Sequence, residues 1–330
     1  MKTILKETQV EQFNSGILDS YFKDLKLCFF DIEATGLSPK YCSLIMGGFA
    51  WYEDGLLHTK QFLAENKSHE KEVLQAIKEE LAQFDVIVNF NGRHYDMPFV
   101  KERFKKFGLI YEEPLYVFDI YLLLARFSGL RKALPHLNQK TVERYFDLTP
   151  RMDEISGKDS VILYGEYEET QDHRLEQVIL LHNYEDIVNL YKLMVSTKVM
   201  DLHKAFNKMG LPVNSKHFGD LQITRIHFNG NVLELEGSQH NDSPIDYVYY
   251  PVDDFDLKYD FTSHDKSFRF SIPVEAKGKS RYINLYKLNL QGDRLSYLGG
   301  YSNDFLILRD EDQVQYEEVN RLIQGMFEEI

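Results

Sequence analysis

A chain of 330 residues with 43% hydrophobic and 14% aromatic content can bury a sizeable core, and its length suits two domains. It has no membrane-spanning apolar run, no signal-peptide core in Met1–Lys6, and only two cysteines, Cys28 and Cys42, so the expectation is a cytoplasmic protein with no membrane association and no zinc motif. A formal net charge of −14 excludes a broadly basic surface of the kind that grips nucleic acid without regard to sequence.

Residues 1–24 read as an N-terminal extension. The run Leu25–Phe30 then leads into Asp31-Ile32-Glu33-Ala34-Thr35-Gly36-Leu37, an apolar strand carrying two carboxylates one residue apart. Side chains alternate across a strand, so Asp31 and Glu33 share a face while Ile32 returns to the core. Two anions held that close call for a cation, and an oxygen-only donor set favours Mg²⁺ or Mn²⁺. Ser43–Trp51 and Leu56–Leu63 follow as strands with short connections, an antiparallel meander. Glu70–Phe84, with Val73, Leu74, Ile77 and Leu81 on one side, reads as a helix.

Val86–Phe90 reads as a further strand, parallel to the first, which runs into the polar turn Asn91-Gly92-Arg93-His94-Tyr95-Asp96. Asp96 precedes Met97-Pro98 and the helical pattern Val100, Phe104, Phe107, and so sits at a helix start. The C-terminal edge of the two strands would gather Asp31, Glu33 and Asp96, where open α/β sheets place ligands. Asp119 ends another strand, and a helix cap explains it equally well. Residues 101–150 carry 9 basic against 6 acidic side chains, among them Lys101, Arg103, Lys105, Lys106, Arg126, Arg131 and Lys132, a local patch in an otherwise acidic chain. Pro135–Tyr167 reads as short helices and loops. Leu175–Thr197 carries Val178, Leu181, Ile187, Leu190 and Met194 at helical spacing and puts His182 and Asp186 four apart on one face.

Each piece alone has an ordinary explanation: strand-end charges paired with lysines, an N-cap at Asp96, a surface i,i+4 pair at His182 and Asp186. In this order and context, the set resembles the DEDD (DnaQ-like) 3′-to-5′ exonucleases. Asp31-x-Glu33 fills the first motif, Asn91-x3-Tyr95-Asp96 the second, and His182-x3-Asp186 the third, with the separation of the tyrosine subclass but a histidine in the tyrosine's place. The resemblance spans roughly residues 25–200 and is nearer the YprB-type ribonuclease-H-like branch, through Leu137–Tyr164 and the helix opening His182-Asn183-Tyr184-Glu185-Asp186-Ile187.

It implies a ribonuclease H-like α/β domain, a mixed sheet flanked by helices, acting on single-stranded 3′ ends with two Mg²⁺ or Mn²⁺ ions about 4 Å apart. Asp31, Glu33, Asp96 and Asp186 would be the metal ligands and His182 the general base or water-orienting group. Thr35 and Gly36 would meet the terminal nucleotide, Leu37 would pack on its base, and Asn91 and Tyr95 would complete the substrate-binding set. Two other readings stay open: a catalytically weak nucleic-acid-binding or scaffolding protein on the same fold, and an endonuclease.

After residue 200 the pattern changes. Ile226–Leu235 is a hairpin around Asn229-Gly230, Tyr282–Leu290, Leu295–Leu298 and Phe305–Leu308 read as strands, and Glu317–Phe327 as a closing helix. The expectation for 201–330 is a smaller, mostly antiparallel β domain with a C-terminal helix. Its nine tyrosines are ordinary strand formers before they are a base-stacking surface.

Overall fold

The computed structural model describes residues 1–152, 155–251, 257–288 and 305–329, which divide into two compact units, Met1–Met200 and Asp201–Ile330. In the first, the order of elements is β1 (Lys2–Gln9), α1 (Gly16–Tyr21), β2 (Leu27–Ala34), β3 (Leu44–Glu53), β4 (Leu56–Leu63), α2 (Glu70–Leu81), β5 (Val86–Asn89), α3 (Asp96–Lys106), β6 (Tyr116–Asp119), α4 (Ile120–Phe127), α5 (Leu130–Ala133), α6 (Gln139–Tyr145), α7 (Gly157–Thr170) and α8 (His173–Lys192). The strands form one mixed sheet in the order β1-β4-β3-β2-β5-β6. β2, β3 and β4 are the antiparallel meander expected from their short connections, and β5 and β6 add in parallel.

Strand β1 corrects the reading of residues 1–24 as an extension. Lys2 to Gln9 pair with Leu63 to Leu56 along the whole of β4, so these residues form the edge of the sheet. Most of β1 is exposed, and its charged side chains are those of a protected edge strand, which is why its apolar alternation is faint.

Two adjacent glycines in β3 let helices approach both faces of the sheet. A Cβ on Gly47 would meet the Ile77 side chain of α2 at 2.5 Å, and one on Gly48 would meet the Asn183 carboxamide of α8 at 2.1 Å. On the α2 face, Val73, Leu74 and Ile77 pack with Phe30, Phe49 and Phe62 and with Val100 and Phe104 of α3. On the other face, Met46 and Leu63 pack with Tyr164 and Tyr167 of α7 and Ile179 and Leu180 of α8. Each large apolar side chain buried in this way is worth about 1.5–3 kcal/mol. Asp31 lies directly opposite Gly48 in the β2–β3 pairing, so the close approach of α8 also brings that helix to the first carboxylate.

The second unit follows α9 (Leu202–Met209) with two antiparallel sheets and a final helix. One sheet has the order β10-β11-β12-β9-β8-β7, built from β7 (Leu211–Ser215), β8 (Gly219–Asn229), β9 (Val232–Gln239), β10 (Tyr247–Tyr249), β11 (Lys258–Thr262) and β12 (Ser267–Pro273). The other joins β13 (Glu275–Lys277), β14 (Ser280–Asn284), β15 (Phe305–Asp310) and β16 (Gln313–Val314), and α10 (Tyr316–Glu329) closes the unit. The Asn-Gly hairpin is the β8–β9 connection, with Gly230 at φ 60°. The strand expected from Tyr282 ends at Asn284 and turns into a 3₁₀ segment, Leu285–Leu288; the expected strand Leu295–Leu298 lies outside the described residues. Among the described residues no helix is long and apolar enough to cross a membrane.

Candidate metal centre

The site lies where β2 runs past its partner β5. β5 pairs with β2 only as far as Phe29 and ends at Asn89, so the next inward-facing backbone groups of β2 lack a strand on that side. Asp96 fills the gap: it opens α3, is buried, and its Oδ1 accepts the Ile32 N–H at 3.2 Å. This bond places the Asp96 carboxylate against the one residue that separates Asp31 from Glu33. The turn that carries Asp96 there is held by Asp119, whose carboxylate accepts the N–H groups of Asn91 (2.9 Å) and Arg93 (3.1 Å) while it caps α4 at Leu122. Asp119 thus both ends a strand and caps a helix. Asn91 takes φ 67°, a left-handed turn conformation that asparagine tolerates, and its side-chain oxygen faces His94 Nδ1 at 3.1 Å.

From the other face, α8 contributes contacts over about two turns, from Leu180 to Asp186. The Asn183 Nδ2 donates to Asp31 Oδ2 at 3.1 Å, while Asn183 Oδ1 accepts from Gln61 Nε2, which also donates to the Leu180 carbonyl, both at 2.9 Å. All three side chains belong to one relay that pins α8 to the sheet through a site carboxylate. His182, buried, sets its Nε2 3.6 Å from Glu33 Oε1 and 3.7 Å from Asp186 Oδ2, and Ser160 of α7 donates to Glu33 Oε2 at 3.3 Å. One ligand atom from each of Glu33, His182 and Asp186 lies within 4.8 Å of the others.

Crowding shows in the electrostatics. Burial first, then the charges of Asp96, Asp186 and Glu33, pushes the Asp31 carboxyl well above its usual range, and the Asn183 bond opposes that only in part. Burial likewise raises Asp96 to about 7 against the lowering effect of the Ile32 N–H. Carboxylates that hold their protons this tightly are short of a cation, and oxygen donors with one imidazole fit a hard divalent ion. The donor set therefore suits a metal centre that Asp31, Glu33, Asp96 and Asp186 could hold, with the His182 imidazole beside Glu33 and Asp186.

The residues expected to meet substrate differ in how tightly the fold holds them. Thr35 is engaged in closing the loop after β2, its Oγ1 accepting the Ser43 N–H and its own N–H donating to the Ser43 carbonyl, each at 2.9 Å. Gly36 packs so tightly that a Cβ would meet Cys42 Sγ at 2.8 Å, and its carbonyl accepts the Tyr95 hydroxyl at 3.3 Å. Tyr95 is half-buried, and burial together with Asp96, Glu33 and Asp31 raises its phenol. Leu37 stands 84% exposed beside them.

Three features of the site carry no clear sequence signal. Asn183, one residue past His182, is the polar anchor just described. Ser160 belongs to a helix that the sequence places only loosely. Arg151 sets its Nη1 2.6 Å from Asp186 Oδ1 while its Nε and Nη2 grip Glu143 of α6 at 2.7 and 2.5 Å. The basic stretch after Asp96 is also thinner than its composition indicates. Arg103 is buried in a bidentate pair with Glu70 and donates to the Pro39 carbonyl at 2.9 Å, and Lys101 is paired with Glu113.

A sequence profile of the RNase_H superfamily matches residues 28–198, just over half of the chain. A DNA polymerase of Methanocaldococcus jannaschii is 34% identical over 94 residues, which are 26% of this chain and 6% of the polymerase; the chain thus spans only a small part of that relative. Among solved structures, the family B DNA polymerase of the hyperthermophilic archaeon Pyrobaculum calidifontis aligns with 53% of this chain and 24% of its own, at 18% identity and a TM-score of 0.44. Exonuclease I aligns with 65% of this chain and 55% of its own, at 10% identity and a TM-score of 0.35.

Proposed function

The chain belongs to the ribonuclease H superfamily, and on that premise we propose that it is a metal-dependent 3′-to-5′ exonuclease acting on single-stranded nucleic acid ends. Membership supports nuclease activity in general. The observation that carries the finer reading is the gathering of Asp31, Glu33, Asp96 and Asp186 with His182 at the end of β2, from three separate elements. Asp31, Glu33, Asp96 and Asp186 would hold two Mg²⁺ or Mn²⁺ ions, which would supply Lewis acidity toward the scissile phosphate and a water able to attack at neutral pH.

The remaining work falls to the chain. His182, with its Nε2 3.6 and 3.7 Å from oxygens of Glu33 and Asp186, sits between two of the proposed metal ligands, where an imidazole can take a proton from the attacking water. Asn183 holds the Asp31 carboxylate in one orientation, and Ser160 does the same for Glu33. Leu37, exposed at the rim, is the apolar surface on which a terminal base packs, and the Tyr95–Gly36 bond fixes the loop that presents it. The first unit holds every one of these residues, so the proposed chemistry assigns no role to the second.

A single-stranded oligonucleotide labelled at its 3′ end tests the reading. Release of labelled mononucleotides with Mn²⁺, and none with chelator, is the expected result. Internal cuts mark an endonuclease instead, and binding without release marks the catalytically weak nucleic-acid-binding or scaffolding alternative, against which the full set of four carboxylates speaks.

A further inference from the structure

Arg151 is placed with more care than a surface ion pair requires. Its side chain is only 7% exposed, and Glu143, equally buried, takes its Nε and Nη2 in a bidentate grip. Glu143 is itself fixed from α8 by the Asn189 Nδ2 at 3.2 Å. The next residue, Met152, donates its N–H to Glu185 Oε1 at 2.9 Å, so two successive residues of this segment are stitched to two successive residues of α8. That grip already satisfies a buried guanidinium–carboxylate pair. The third nitrogen goes elsewhere, to Asp186 Oδ1, while the other oxygen of Asp186 faces His182.

The guanidinium therefore occupies an oxygen that a divalent ion would use. A planar fork of donors beside a nuclease's carboxylates is also the group best shaped to receive a phosphate. We propose that Arg151 is a phosphate-binding residue of this site and that it competes with the divalent ion for Asp186, an inference that rests on the exonuclease reading. When metal takes Asp186 Oδ1, the Nη1 edge is released, and Glu143 keeps the cation at the site to meet the incoming strand.

The two parts of the proposal give opposite signs in two measurements. Arg151→Gln removes the competitor, so the Kd for Mn²⁺, titrated calorimetrically into the full-length protein without nucleic acid, falls by about tenfold or more. The same change removes a phosphate contact, so KM for the 3′-labelled single strand at saturating Mn²⁺ rises by about tenfold, and Arg151→Lys recovers part of that loss. Because Arg151→Gln leaves Glu143 buried without its partner, the double variant Glu143→Gln/Arg151→Gln removes both charges together and is expected to show the same two shifts. Loss of any cation beside Asp186 eases Mn²⁺ binding by Coulomb repulsion alone, so it is the accompanying rise in KM at saturating Mn²⁺ that marks phosphate binding. Unchanged or weaker Mn²⁺ binding in the single and double variants, with the wild type cutting normally, overturns this inference alone. A wild type that neither binds Mn²⁺ nor cuts overturns it together with the exonuclease reading.

Discussion

On the strand side of the site, buried Asp96 and half-buried Asp31 are given only neutral donors, the Ile32 N–H and the Asn183 amide; on the helix side, Asp186 keeps a guanidinium within 2.6 Å. The first arrangement leaves charge uncompensated, which is why both carboxyls hold their protons above the usual range. The second compensates it in advance. Carboxyls that resist ionising would gain from a neighbouring cation, whereas Asp186 already has one in Arg151.

The sharpest way to break this comparison is to delete one carboxylate from each side. Asp31→Ala and Asp186→Ala should each lower hydrolysis by on the order of 10⁴-fold or more, since either removes several kcal/mol of charge stabilisation. Their effects on stability in chelator should differ in sign. Loss of Asp31 relieves repulsion, so melting temperature stays level or rises; loss of Asp186 strands one edge of Arg151 and lowers stability by about 1–2 kcal/mol. Equal stability changes in the two variants would erase the distinction between the sides.

Between the two sides stands His182. Replacement by Ala should lower turnover by about 10² to 10⁴-fold, the range for losing a general base, with metal affinity little changed. His182→Tyr should keep more activity than His182→Ala, because the separation from Asp186 already suits a tyrosine and a phenol still orients water. Unchanged turnover in the Ala variant would make this imidazole a packing group and send the search for the base elsewhere.

A smaller effect is expected at Asn183, which ties the strand side to α8. Asn183→Ala frees the Asp31 carboxylate and leaves Gln61 buried with one bond fewer, costing about 1–3 kcal/mol of stability. Chemical denaturation measures it directly. Hydrolysis should fall by about tenfold through misplacement of Asp31, far less than for Asp31→Ala. Asn183→Asp, which sets an anion against Asp31, should cost more than Ala.

How much of this was legible in the sequence follows from which residues obey a period. Asp31 and Glu33 were readable because a strand alternates, Asp96 because a helix start has favoured residues, and His182 and Asp186 because four residues bring side chains to one helix face. The meander and the parallel β5 followed from short connections and an intervening helix. Arg151 was not readable: it lies in a segment without periodicity, 35 positions before Asp186, and only the folding of α6 and α8 around it makes the contact. Arg103 misled for a related reason, since composition counts a buried, paired arginine as surface charge. β1 escaped because an exposed edge strand has little apolar alternation to show, and the 3₁₀ turn at Leu285–Leu288 replaced an expected strand because apolar residues in a short run fit either.

The last predicted effect, on stability and not on turnover, separates the two sides by pH alone. Asp96 titrates near pH 7 in the folded, metal-free chain against about 4 when unfolded, because burial disfavours its anion. The folded state thus binds this proton more tightly. Stability from this group is fully present below about pH 4, is lost as pH rises toward 7 at a slope of no more than about 1.4 kcal/mol per unit, and changes no further above that. Asp96→Asn has no proton to lose, so the difference in unfolding free energy between the variant and the wild type, in chelator, should widen in the variant's favour from pH 4 to 7 and then level. Saturating Mn²⁺ should shrink that widening, since an ion beside the carboxylate supplies what the proton did. Parallel pH curves in chelator would mean that Asp96 is charged and content without metal, and that the strand side is not the half of the site that calls for a cation.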